Sequence, residues 1–98
     1  MTASELAASA EHDVTPPAGL SEEALALWHA KKGNWHRAHD IAQEIHTPMG
    51  SWIHALLHLI EGDLGNAAYW FSKARKPTRS AGQIESEWRA IALEVMGS

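Results

Sequence analysis

A length of 98 residues, 45% hydrophobic and 20% charged, is that of one small soluble domain with a limited core, and five tryptophans add packing volume to it. The formal charge of −4 with neutral histidines argues against general attraction to nucleic-acid phosphates, and the absence of cysteine removes disulfides and thiolate chemistry. The opening Met1–Asp13 has neither a basic leader nor a long apolar run, and no apolar span of about 18 residues occurs, so a cytoplasmic protein with no membrane partner is expected.

Residues 1–19 are rich in Ala, Ser, Thr and Pro, and Pro16-Pro17 excludes a helix running on into the body of the chain. Ser4–His12 is spaced for a short transient helix, and the segment is expected to be flexible unless it docks on the body, residues 20–98. Ser21 caps a helix that opens with Glu22 and Glu23, carries Ala24, Leu27 and Trp28, and stops at Gly33. Asn34 starts a partner whose inner stripe is Trp35, Ala38, Ile41, Ala42 and Ile45. Thr47-Pro48 begins the next helix, with Gly50-Ser51 able to delay it by a turn. Its stripe is Trp52, Ile53, Leu56, Leu59 and Ile60, and Gly62 ends it. Asp63 caps a fourth helix with Leu64, Ala67, Phe71 and Ala74 inside, stopped by Pro77. Ser80 and Gln83 are spaced as a capping box before a last helix with Ile84, Trp88, Ile91 and Val95 on one side and Glu85, Glu87, Arg89 and Glu94 on the other. The expectation is an all-α fold of about five helices, near residues 21–32, 35–46, 49–61, 64–75 and 81–96.

The first four of these helices repeat with a displacement of about 29 residues. Gly33 falls on Gly62, Asn34 on Asp63, Ala38 on Ala67 and Pro48 on Pro77, while His29 falls on His58. These residues resemble a tetratricopeptide-type (TPR-like) repeat: a Gly-Asp or Gly-Asn turn, then small, aromatic and small residues at Ala67, Phe71 and Ala74, then a closing proline. The unit is shorter than the usual repeat, the first copy has Ala42 in the aromatic slot, and the likeness covers Leu20–Pro77. It implies two stacked helical hairpins, with the C-terminal helix as their cap. The run from His54 to Trp70 also resembles a group of short bacterial proteins of uncharacterised function, which implies a self-contained bacterial chain and no mechanism.

Candidate chemistry centres on the second copy. His54 and His58 are one helical turn apart with Glu61 a turn beyond, a set that suits a divalent metal, although the H-E-x-x-H arrangement is absent. His54 stands where the first copy has Leu25. A buried imidazole there needs a partner, and His39, Asp40, Asn66 and Tyr69 are within reach of the expected stacking. Histidines merely satisfied or solvated remain the bland alternative. The tryptophans Trp28, Trp70 and Trp88 read as core, whereas Met49, Trp52, Leu56 and Leu59 form a second candidate site, an apolar groove that the last helix covers or a partner fills. No phosphate loop, nucleophile elbow or apolar-set carboxylate pair is present, so an enzyme is not the first expectation.

Two functions are therefore open, of which the first is the expected one and the second its alternative. One is a non-enzymatic TPR-like interaction module for a protein or peptide, without a cofactor and with a second copy of itself as an admissible partner. The other is a small metal- or ligand-binding protein, or an enzyme, with a site between the hairpins built on His39, His54, His58, Glu61, Asn66 and Tyr69; His54 and His58 are its metal candidates.

Overall fold

Gly33 and Gly62 turn the chain between paired helices. In the computed structural model, which describes residues 1–98, α2 (Glu22–Lys32) ends at Gly33 with φ 94° and α4 (Pro48–Glu61) ends at Gly62 with φ 83°. Both lie in the left-handed region that glycine enters without Cβ strain. The two turns close alike: Gly33 and Asn34 donate to the carbonyls of Ala30 and His29, as Gly62 and Asp63 do to Leu59 and His58. The chain returns as α3 (Trp35–Ala42) packed on α2, and as α5 (Leu64–Lys73) packed on α4. Side chains of Ser21, Thr47 and Asp63 accept the N–H groups of Ala24, Gly50 and Asn66, which satisfies helix-start donors that would otherwise be free.

The protein is all-α, with six α-helices and no strand, and no helix is long and apolar enough to cross a membrane. The helix beyond the expected five is α1 (Ala3–His12). It opens with a reciprocal capping box between Thr2 and Glu5 and buries Ala3, Leu6 and Ala10 against the body. Two contacts show that the segment docks. Trp28 Nε1 donates to Ser9 Oγ at 3.1 Å, and the Ala3 N–H donates to the Ser98 carbonyl at 2.7 Å.

A 3-10 turn, Ala81–Gln83, leads into α6 (Ile84–Met96), which packs on α1, α2 and α4. Its buried Trp88 donates Nε1–H to the Leu27 carbonyl at 2.9 Å. Trp52, Leu56 and Leu59 are buried, and only Met49 of the expected apolar groove stays half-buried. Glu87 is not on the polar side of α6. It is 4% exposed, and its carboxylate accepts Trp52 Nε1–H at 2.8 Å and Arg79 Nε–H at 3.0 Å. A buried carboxylate is tolerable with a cation and a second donor, and the expected pattern of charges along α6 held no sign of either.

Two boundaries differ from the sequence reading. α3 ends at Ala42, short of the expected residue 46, because the chain must leave the helix to present Thr47 as a cap and Pro48 as the first residue of α4. Gly50-Ser51 does not delay α4. Gly50 is inside its first turn, and a Cβ there would meet the Ile45 carbonyl oxygen at 1.9 Å, so this glycine permits the loop to cross the helix closely.

Candidate functional site

The period of α4 sets His54 and His58 on one face, and packing of α3 on α4 brings His39 to them. The rings of His54 and His58 stack with centroids 4.8 Å apart, and His39 stands edge-on to both, at 4.6 and 5.3 Å. One ring nitrogen from each of the three lies within 4.8 Å of the others. Tryptophans wall the cluster on two sides. Trp35 stacks on His39 at 4.8 Å and is itself pinned by donating Nε1–H to the Leu57 carbonyl, while Trp70 stacks on His54 at 4.0 Å.

The three imidazoles are not equivalent. His58 Nδ1 is 2.7 Å from Glu61 Oε1; an ionised carboxylate only accepts, so Nδ1 carries a proton, and in the neutral ring the lone pair is then on Nε2. His54 is 7% exposed, and neither of its nitrogens makes a hydrogen bond; since no enclosed side-chain N or O lacks a partner, solvent reaches the free ones. Burial, reinforced by His39 and His58 nearby, pushes its pKa down to about 4. Burial and then His58 lower the pKa of His39, with Asp40 and Glu61 opposing. His54 and His39 are thus neutral at pH 7, the state in which imidazole ligates a metal.

Of the expected site residues, His39, His54, His58 and Glu61 come together, and Asn66 and Tyr69 stand apart. Asn66 donates its side-chain N–H to Asp63 Oδ2 at the start of α5, and Tyr69 is 56% exposed with its ring edge to Trp70. Of Met49, Trp52, Leu56 and Leu59, the last three are buried and Trp52 bonds to Glu87 of α6, so they form no open groove. Trp70, expected in the core, is only half-buried and lies on the imidazoles. The signal for it was present in the repeat. At the equivalent positions of the two copies, Leu25 and Ile41 are replaced together by His54 and Trp70, and Lys32 by Glu61. An aliphatic pair has become a stacked aromatic pair, and a cation has become the carboxylate that orients His58.

No protein-family model, curated protein or solved structure matches this chain.

Proposed function

We propose that this chain is a small metal-binding protein whose site for a borderline divalent ion, zinc or its copper and nickel neighbours, is formed by His39, His54 and His58. The observation that carries the reading is the convergence of three imidazole nitrogens from two helices within 4.8 Å, with those of His54 free of hydrogen bonds in a buried setting. Imidazole without thiolate or a ring of oxygens suits this group of ions better than calcium or magnesium. Glu61 acts behind His58, since a carboxylate on Nδ1–H fixes the ring and makes Nε2 the better donor. Nitrogens that share a tetrahedral ion at about 2.0–2.1 Å lie roughly 3.4 Å apart, so the set must draw in by about 1.4 Å at its widest, a change that ring rotations supply. Three protein ligands leave one position for water or an exogenous ligand. No reaction is assigned to it.

The scaffold for this site is, on the same proposal, TPR-like: the αL glycine turns with matching hydrogen bonds support two stacked hairpins, with α6 as the cap. The interaction-module reading is less favoured, because Trp52, Leu56 and Leu59, which would line its groove, are buried within the protein. Native mass spectrometry and calorimetric titration of the metal-free protein with zinc test the proposal. One ion per chain is expected, and His54→Leu should abolish its binding while leaving the helical spectrum and melting temperature close to wild type. Zinc uptake undiminished in His54→Leu, or no stoichiometric uptake by the wild type, would overturn it.

A further inference from the structure

Beside the imidazoles, an open cavity of about 440 Å³ lies where the α3–α4 loop, the first turn of α4 and the end of α5 meet. His54 and Trp70 form one wall, and Gln43, Thr47, Ser51 and His46 bring amide, hydroxyl and imidazole groups. Lys73 is the ionised group of the lining, and no carboxylate reaches it, although the chain as a whole is acidic. The first turn of α4 adds the positive end of a helix dipole to the same side, although Pro48 has no N–H and those of Gly50 and Ser51 already donate to Thr47, so the donors here are side chains. His54 is a second sign of a ligand: it is more than nine-tenths buried, borders the cavity and has no hydrogen-bond partner within the protein, and the metal site takes only one of its two ring nitrogens.

We infer that this cavity binds a small organic oxyanion, a carboxylate or a phosphate ester, between Lys73 and the first turn of α4. Lys73 supplies the charge and the side chains of Gln43, Thr47 and Ser51 can donate, and the volume holds a metabolite of roughly ten or more non-hydrogen atoms within the size range of ligand clefts. Lys73 Nζ lies over the Trp70 ring at 5.2 Å, which keeps the cation at the rim. This inference goes beyond the metal site and stands without it.

The test is a titration of metal-free, full-length protein with inorganic phosphate and, separately, with malonate, followed by the amide signals of Ser51 and Lys73 and the Trp70 indole signal. Saturable shifts confined to the cavity are expected, and the tighter of the two anions identifies which oxyanion class the site prefers. Lys73→Ala should weaken binding at least ten-fold, while Arg37→Ala, which removes an exposed cation outside the cavity, should leave it unchanged. The inference is overturned if neither anion gives saturable shifts, or if Arg37→Ala weakens binding as much as Lys73→Ala. Zinc uptake by Lys73→Ala, measured in parallel, separates failure here from failure of the metal site.

Discussion

At the scale of single residues, glycines carry two different demands. Gly62 needs only its backbone conformation: φ is 83° and nothing lies within 4 Å of a Cβ added there. Gly50 needs only space, because α4 crosses the Ile45 carbonyl too closely for any side chain. Gly62→Ala should therefore cost about 1 kcal/mol, the strain of a left-handed alanine. Gly50→Ala should cost more, about 2 kcal/mol or above, since backbone on both sides must separate. Urea unfolding of the two variants checks the order, and equal losses would show that the close crossing is not rigid. The left-handed turn at Gly62 was legible from Gly followed by Asp. The role of Gly50 was not, since a close approach between segments leaves no local pattern, and a glycine near a helix start reads as a weak helix former.

At the scale of elements, α6 is held by more than its apolar seam. Glu87 joins α6 to Trp52 on α4 and to Arg79 in the segment before it. Glu87→Ala leaves the Trp52 N–H and the Arg79 guanidinium without their acceptor, at a cost of about 2–3 kcal/mol. Amide exchange should quicken first in residues 78–96, where α6 and its leading turn are released. A uniform change across the chain would instead mean that α6 does not open separately. The helix itself was plain from Ile84, Trp88, Ile91 and Val95, but an acidic residue at an inward position reads as solvated until its partners are known. The helix of α1 was legible over Ser4–His12, but its docking was hidden for a related reason. Its stripe of Ala3, Leu6 and Ala10 is too weakly apolar to predict docking, and the bond from Trp28 to Ser9 that secures it spans 19 residues of sequence.

At the scale of the whole molecule, the buried imidazoles make the metal-free fold sensitive to acid. His54 keeps a pKa of about 4 when folded, against the ordinary histidine value of about 6.5 in the unfolded chain. The unfolded chain therefore takes up a proton first as pH falls, so the full contribution is present above pH ~6.5 and is lost progressively down to pH ~4. Discounted for the solvent that still reaches its nitrogens, the loss is about 2 kcal/mol, with His39 adding in the same direction. Unfolding free energies measured between these pH values should fall for the wild type and fall much less for His54→Leu; parallel curves would contradict a neutral buried imidazole. The departure of His54 from Leu25 was visible in the repeat, as was its spacing from His58 and Glu61. That His39 completes the cluster depended on how α3 lies against α4, and the tryptophan walls on how two side chains stack, which no single-helix pattern reports.

The central claim, that His39, His54 and His58 hold one metal ion, is tested most directly by anomalous diffraction at the zinc edge from crystals of zinc-loaded protein. The account predicts one strong peak per chain among the three imidazoles, with His58 Nε2 facing it and Glu61 still on Nδ1. The neighbouring group of His58, Glu61 and Asp63 offers a rival, more exposed position. A peak there, or none in a crystal whose protein has taken up zinc in solution, would contradict the account.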